Sequence, residues 1–341
     1  MESKSTGKVL LIAPAFFGYY KEMVKELALL GFDADYICDM PGSSNLLKAV
    51  GRINKRLTYG AAEKYFRTEV LPKISSKKYD YILLVAGMTF AFSPEMFGQI
   101  KELQNSAKFI MYQWDSEKNL PYSTHIHQYF DKIFSFDRPD CLREKGKYTF
   151  LPLFYLREYS QIASDRSDSG REYFTYDCSY VGTAHPKKFK DINEISSSLR
   201  SIFPRQFIYH YMPSKLKYYY HKTTASEYRN AKLSDFQTEK LSQEQILELI
   251  NKSFCVLDAP QGGQTGLTIR TIECLGAGKK LITTNPDIVH YDFYDPCNIL
   301  FWDGSMPDPA LPFFTDPYKS LPDEIYEKYA LSSWLKTMLN C

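Results

Sequence analysis

Several chemical features are scarce or missing in this sequence of 341 residues. Its six histidines and seven cysteines form no CxxC pair, no HExxH and no close cluster, which argues against a structural zinc site. The formal net charge is only +2, so the field of a nucleic-acid-binding protein is not expected. No apolar run approaches the ~20 residues that cross a bilayer. The cysteines are odd in number and irregularly spaced, which suits reduced thiols rather than disulfides. Because thiols stay reduced in the cytosol, we expect a cytoplasmic protein.

The composition is that of a globular protein. Hydrophobic residues make up 44% and charged residues 24% of the chain, and its length suits two domains. The first apolar run begins after Lys8 and is short, and we interpret it as a strand rather than a signal peptide. Buried apolar runs predict strands in the first half at 8–14, 32–38, 79–87, 108–116, 132–140 and 149–155.

The most informative stretch runs from Val256 to Asn285. An apolar strand breaks into the loop PQGGQTG, a helical segment follows, GAGKK ends the helix, and LITT reads as a second strand. Strand, glycine-rich loop, helix and strand form half of a nucleotide-binding α/β unit. Glycines let a backbone approach a ligand, and the N–H groups at a helix start favour phosphate.

Two charged residues stand inside this helical segment. Arg270 and Glu273 are three residues apart and share one face. An arginine there can hold a diphosphate through two nitrogens, and a carboxylate can accept hydrogen bonds from ribose hydroxyls. An ordinary surface ion pair has the same spacing, and this alternative stays open.

The residues QTGLTIRTIECLGAGKKLITTN (264–285) resemble the donor-binding segment of GT-B-fold glycosyltransferases. More narrowly, they resemble bacterial enzymes that build lipopolysaccharide or capsule, including the CgeB-like group. The resemblance implies an α/β protein of two Rossmann-like domains facing across a cleft, with a C-terminal helix that crosses back to the first domain. It also implies a hexosyl- or deoxyhexosyltransferase of class EC 2.4, in which Glu273 holds the donor ribose.

One position departs from the pattern of this fold. Its retaining members often carry two glutamates seven residues apart, but the position seven before Glu273 is Gly266. The missing glutamate favours inversion of the sugar's anomeric configuration. We expect no cofactor other than the nucleotide-sugar co-substrate, linked to UDP or dTDP.

The resemblance and the run of elements together predict the domains. Residues 1–158 form the acceptor-binding domain, 172–322 the nucleotide-sugar-binding domain, and 323–341 one helix that packs back on the first domain. The polar segment Ser160–Glu172 lacks apolar periodicity, and we interpret it as the linker or a surface loop.

The second domain restarts at Tyr176 with a short strand and a basic loop, which faces the donor phosphates in enzymes of this fold. A turn before an ordinary basic helix is the alternative. The predicted donor-binding residues are Gly182, Thr183, His185, Lys187, Lys188, Gln264, Thr265, Gly266, Thr268, Arg270 and Glu273.

In the first domain, Asp115 follows a buried strand, where open α/β sheets bind ligands. We predict it as the catalytic base that deprotonates the acceptor, and a helix N-cap by Asp115 or Ser116 is the alternative. His125 and His127 are rival bases. The predicted acceptor-binding residues are Gly18, Tyr19, Gln113, Trp114 and His125.

Two further segments raise the question of a metal ion or a membrane as partner. The residues Asp33–Asp35 imitate a DxD metal motif, but they open a strand directly after a glycine, so we favour a solvated strand edge and expect no metal. The segment 214–235 is rich in Lys and Tyr, which suits an anionic membrane surface, and a wet helix is the alternative. The expected partners are a nucleotide-sugar donor and a glycan or glycolipid acceptor, without nucleic acid.

Three rival functions follow from the same residues. A non-catalytic nucleotide- or glycan-binding protein would share the architecture, and a nucleotide-sugar epimerase would need no acceptor. A nicotinamide dehydrogenase is disfavoured because no GxGxxG follows the first strand.

Overall fold

The computed structural model describes residues 6–15, 18–41, 59–87, 91–163 and 170–341. The chain divides into two compact units. The first unit comprises Met1–Pro152 and Leu331–Cys341, and the second comprises Leu153–Ala330. Among the described helices, none has both the length and the apolar character of a bilayer span.

The first unit contains a six-stranded parallel sheet in the order β2-β1-β3-β4-β5-β6. Its strands are β1 Gly7–Ala13, β2 Phe32–Cys38, β3 Tyr81–Ala86, β4 Lys108–Gln113, β5 Lys132–Ser135 and β6 Thr149–Phe150. The last five residues of β1, β3 and β4 are all buried, so these strands are covered on both faces. This double burial explains why they are continuous apolar runs in the sequence.

Helices connect the strands of this sheet. They are α1 Tyr19–Leu29, α2 Tyr59–Tyr65, α3 Leu71–Ser76, α4 Pro94–Leu103 and α5 Arg138–Arg143, with a π-helical turn at Phe66–Val70 and a 3-10 helix at Pro121–Tyr129. The predicted strand at 149–155 is wrong beyond Phe150. Pro152 has no N–H to donate to a ladder, and Leu153 already belongs to the second unit.

The second unit contains a five-stranded parallel sheet in the order β11-β10-β9-β7-β8. Its strands are β7 Tyr176–Thr183, β8 Gln206–Tyr211, β9 Ser253–Asp258, β10 Lys280–Thr283 and β11 Ile299–Phe301. The chain adds β8 on one side of β7 and then adds β9, β10 and β11 on the other side. The carboxyl ends of β7 and β9 therefore form a topological switch point, where open parallel sheets bind ligands.

The helices of the second unit include one in the predicted linker. They are α6 Arg157–Ala163, α7 Pro186–Ser198, α8 Lys215–Thr224, α9 Gln243–Asn251, α10 Ile269–Gly276, α11 Pro312–Thr315 and α12 Asp323–Lys328. The interpretation of Ser160–Glu172 as a loop is wrong for its first four residues, which lie in α6. Residues 164–169 of that segment lie outside the described residues.

The single helix predicted at 323–341 is two helices, α12 and α13 (Leu331–Leu339). The chain leaves helical geometry at Tyr329, whose carbonyl accepts a hydrogen bond from Tyr155 N at 2.8 Å. Helix α12 lies in the second unit and α13 in the first. In the first unit, Trp334 of α13 packs edge-on against Tyr112 of β4 at 4.6 Å between ring centroids.

The DxD-like residues at the start of β2 have a side-chain partner. Lys77 Nζ lies 2.8 Å from a carboxylate oxygen of Asp33 and 2.7 Å from one of Asp35. These carboxylates thus contact an ammonium group at the sheet edge. The described ranges contain no group of three or more His, Cys, Asp or Glu side chains placed to hold a metal ion.

Candidate functional site

A buried carboxylate lies at the switch point of the second unit. Asp258 ends β9, is 1% exposed, and accepts hydrogen bonds from the hydroxyl groups of Thr268 and Thr271. Lys188 Nζ, from the first turn of α7, lies 3.3 Å from Asp258 Oδ1. Thr268 is also the N-cap of α10 and accepts a hydrogen bond from Thr271 N. Asp258 therefore joins the first turn of α7 to the start of α10.

A second buried ion pair lies in α10 itself. Arg270 Nη1 is 2.8 Å from Glu273 Oε2, and the two side chains are 17% and 5% exposed. The Tyr159 hydroxyl of α6 hydrogen-bonds to Glu273, and burial followed by the Glu273 charge raises the pKa of that phenol. The pair is therefore largely buried and is hydrogen-bonded to α6 through Tyr159. It is not the exposed surface ion pair that the same spacing would also allow.

The buried phenol of Tyr180 lies within reach of both ion pairs. Burial raises its pKa, the Asp258 charge raises it further, and the Arg270 charge opposes the change. Within the described residues, the Tyr180 hydroxyl has no hydrogen-bond partner. A Cβ at Gly182 would collide with this ring, so glycine is required next to the phenol. The switch point thus presents a buried donor beside Lys188 and Arg270.

The glycine-rich loop before α10 is hydrogen-bonded to Asn285, which lies just after the end of β10. Asn285 Nδ2 donates hydrogen bonds to the carbonyls of Thr265 and Gly266 at 3.1 and 3.2 Å. Gln264 Nε2 donates to Gly266 O at 3.3 Å. A Cβ at Gly276 would collide with the Tyr155 ring, so the other end of α10 also needs its glycine. Both ends of the helix that carries Arg270 are therefore fixed.

The remaining candidates of the basic loop differ in placement. Thr183 is the last residue of β7, and His185 is the N-cap of α7, where its backbone N–H donates to Thr183 O at 2.9 Å. Lys187 bonds to Asp191 one turn later and is half exposed. The structure therefore brings Lys188, but not Lys187, to the buried carboxylate of β9.

Sequence reasoning missed three residues that hold this site together. Asp258 is a polar residue at the carboxyl end of a strand, and the same feature had singled out Asp115 as a candidate site residue. Tyr159 directly precedes the segment interpreted as a loop and was given no role. Asn285 ends the resembling stretch, and its side-chain bonds to the loop have no local sequence signal.

A histidine behind this site permits a prediction on stability. His210 of β8 is 3% exposed, and burial, aided by the Lys188 charge, lowers its pKa to about 4. Between pH 6.5 and 4, His210 is therefore protonated in the unfolded chain but stays neutral in the folded chain. From pH 7 to 4.5, we expect His210 to remove about 2 kcal/mol from the free energy of unfolding.

The matched variant for this prediction is His210→Gln, which keeps a side-chain N–H near Asn193. Urea unfolding at both pH values would measure the loss in each protein. Other titrating groups are common to both, so the wild type should lose about 2 kcal/mol more than the variant over this range. Equal losses would contradict the prediction.

In the first unit, polar residues gather where β4 ends. Gln113 is fully buried, and its Oε1 accepts a hydrogen bond from Ser123 Oγ at 2.9 Å. Asp115 Oδ1 accepts hydrogen bonds from Asn119 Nδ2 at 3.0 Å and Ser116 N at 3.1 Å. Asp115 therefore organises a tight turn rather than capping a described helix.

The Asp115 carboxyl is the perturbed acid of this edge. Burial raises its pKa above the ordinary range, and the hydrogen bonds from Asn119 and Ser116 act in the opposite direction. A carboxylate with a raised pKa is a better proton acceptor near neutral pH. In the part of the chain that the structure describes, the Gln113 Nε2 and Ser116 Oγ atoms are buried without a hydrogen-bond partner. These two groups therefore have unused hydrogen-bonding capacity at the end of β4.

The aromatic candidates of this edge come together. Tyr19 is buried at the start of α1, with its ring centroid 5.5 Å from that of Trp114. Gly18 is the N-cap of α1, with a left-handed φ of 78°. His125 is exposed in the 3-10 helix, while burial lowers the pKa of its rival His127 to about 4. A neutral, half-buried His127 is a weak base.

Comparison with known proteins supports the architecture. No protein-family model matches the sequence, and no curated protein matches it. HepE of Anabaena, solved with UDP and glucose, matches with a TM-score of 0.59 at 10% identity over 98% of both chains. An alpha-glucosyltransferase (AGT) solved with UDP gives 0.56 at 11% identity over 98% of this chain and 96% of that one.

A third solved structure is the apo form of WaaB, a lipopolysaccharide outer core galactosyltransferase. It matches with a TM-score of 0.52 at 11% identity over 98% of this chain and 99% of that one. These matches span nearly the whole chain, and the two parallel sheets agree with them. The chain has the GT-B fold. The predicted fold class of two Rossmann-like domains is thereby confirmed, whereas the roles of the site residues stay predictions.

Proposed function

We propose that this protein is a glycosyltransferase that moves a sugar from a nucleotide-diphosphate donor to a lipopolysaccharide, capsule or related surface glycan. The fold supports the reaction class, because HepE and the alpha-glucosyltransferase of the same fold were solved with UDP. WaaB, a lipopolysaccharide outer core galactosyltransferase, supports the acceptor class. The 264–285 stretch resembles enzymes of that same group.

One observation carries the donor site: two largely buried ion pairs lie near Tyr180 at the switch point of the second sheet. Burying paired charges costs desolvation free energy, and charge pairs at a place where open sheets bind ligands favour a functional role. Lys188 and Arg270 supply positive charge for a diphosphate, and the orphaned Tyr180 hydroxyl supplies a further donor. Glu273 accepts hydrogen bonds from the ribose hydroxyls of UDP or dTDP.

The first unit supplies the acceptor chemistry in this proposal. The acceptor hydroxyl oxygen bonds to the anomeric carbon while the bond from that carbon to the diphosphate breaks. The hydroxyl proton passes to the Asp115 carboxylate, and the nucleoside diphosphate leaves. Inversion follows from this direct attack and agrees with glycine at position 266. Tyr19, Trp114 and Gln113 line the same edge and hold the acceptor.

A panel of nucleotide sugars tested by thermal shift would identify the donor. A donor present at a hundred times its Kd should stabilise the protein by about 2.7 kcal/mol. Nucleotide release should then depend on an added glycan acceptor. Stabilisation without release on any acceptor would instead indicate a binding protein, and interconversion of donor sugars without an acceptor would indicate an epimerase.

A further inference from the structure

Helix α8 exposes three large apolar side chains on one face. Leu216, Tyr219 and Tyr220 are 80%, 57% and 62% exposed, and their spacing of i, i+3 and i+4 makes them neighbours. No other two exposed large apolar residues within the described ranges lie as close in sequence. A clustered apolar surface of this kind marks a contact site rather than random exposure. We call these three residues the apolar face of α8.

The opposite side of α8 is firmly held. Tyr218 is 5% exposed, packs in an aromatic cluster with Tyr228 and Phe236, and donates its hydroxyl to Ala231 O at 3.0 Å. Lys222 Nζ donates to the same carbonyl at 2.7 Å. The inner side fixes the rotation of the helix about its axis, so the apolar face is presented outward by a packed scaffold.

The charges around this face are mostly positive. Helix α8 carries Lys215, Lys217 and Lys222 and no acidic residue. The exposed Arg229 and Lys232 follow, and Glu227 is the only acid between positions 214 and 232. Cationic residues beside exposed tyrosine and leucine suit the interface of an anionic bilayer, where Tyr rings sit at headgroup level.

The end of the helix is also suited to a less polar surrounding. Thr224 Oγ1 donates to Tyr220 O at 2.7 Å, and Thr223 Oγ1 donates to Tyr220 O at 2.9 Å and to Tyr219 O at 3.3 Å. The threonine hydroxyl groups are thereby hydrogen-bonded within the helix, which lowers the cost of moving them into the headgroup region.

We propose that the apolar face of α8 docks on the surface of a bilayer containing anionic phospholipid. Leu216 and the two tyrosine rings insert among the headgroups, and the lysines pair with lipid phosphates. Bound sugar would call for carboxylate or amide side chains beside the rings, and α8 has neither. The most exposed residue, Leu216, has no function in stacking on sugar or nucleic-acid bases. This interaction goes beyond sugar transfer and does not depend on it.

Vesicle sedimentation with the full chain tests the proposal. The wild type should co-sediment with vesicles of phosphatidylcholine and phosphatidylglycerol and much less with phosphatidylcholine alone. The triple variant L216S/Y219S/Y220S should lose at least about tenfold in partitioning, because burial of one leucine side chain alone corresponds to roughly that factor. In K215Q/K217Q, the loss should be about fivefold for each lysine.

The matched control, L29S/L142S/M306S, removes three exposed but scattered apolar residues. It should bind vesicles as the wild type does, and unchanged melting curves would show that the variants are folded. The proposal is overturned if the wild type does not bind anionic vesicles, or if it binds neutral ones equally well. It is also overturned if L216S/Y219S/Y220S binds normally, or if this triple variant loses binding to single-stranded DNA instead.

Discussion

Replacing Asp115 with asparagine is expected to lower the rate of sugar transfer by about 10²- to 10⁴-fold, the usual contribution of a positioned general base. Asparagine keeps the oxygen that accepts hydrogen bonds from Asn119 and Ser116, so the turn should survive. What is lost is the ability to take the acceptor proton. Steady-state transfer assays with the donor found by thermal shift would measure kcat, and nucleotide affinity should stay unchanged.

The pH profile gives this prediction a second readout. Burial raises the pKa of Asp115, and the deprotonated form is the active base. The rate of the wild type should therefore fall as the pH drops through this raised pKa, at a higher pH than an ordinary carboxyl would give. The acidic limb should disappear in Asp115→Asn.

Glu102→Gln is the control for Asp115→Asn, since it removes an exposed carboxylate of the same unit. It should transfer sugar at the normal rate. A transfer rate in Asp115→Asn within a few-fold of the wild type would reject the aspartate as base. A large loss in a His125→Gln variant alone would then transfer that role to the exposed histidine.

Exchanging Arg270 for lysine is expected to cost about 10²- to 10³-fold in kcat, as removal of one preorganised charge contact commonly does. Lysine keeps the charge but cannot present two parallel N–H groups to a diphosphate. The lysine ammonium group also cannot reproduce the geometry in which Arg270 Nη1 lies 2.8 Å from Glu273 Oε2. The same variant should bind both UDP and free pyrophosphate more weakly, measured by calorimetry.

Glu273→Gln separates the two halves of the donor site. If Glu273 holds ribose, this change should weaken UDP binding while leaving pyrophosphate binding unaltered. The exposed Arg200→Lys, in the same unit, is the control for Arg270→Lys and should behave as the wild type. Equal losses of UDP and pyrophosphate in Glu273→Gln would indicate that it acts only by positioning Arg270.

Local sequence patterns were sufficient for a large part of the fold. Runs such as Val9–Ala13 predicted parallel strands because strands buried on both faces have no polar positions. The 256–285 stretch gave strand, loop, helix and strand in the observed order. The contact of Arg270 with Glu273 was also predictable, since residues three apart meet on any helix.

Local patterns failed where a contact elsewhere in the chain decides the structure. The helix Arg157–Ala163 has few apolar residues, yet its Tyr159 is buried because it packs on α10. The final helix is interrupted where the Tyr155 N–H donates to the Tyr329 carbonyl. In both cases a tertiary interaction outweighs the weak preference of a short segment. The strand expected after Phe150 ended for a local reason instead, because Pro152 cannot donate to the ladder.

By itself, the sequence determined which residues could bind a nucleotide sugar: a glycine-rich loop, a basic loop and two polar strand ends. Only the tertiary structure decided which of them meet. Strand order places β9 beside β7, which brings Asp258 to Lys188, and the packing of α6 on α10 brings Tyr159 to Glu273. The physical reason is that helix and strand periods act over a few residues, whereas buried charges find partners through packing between segments far apart in the chain.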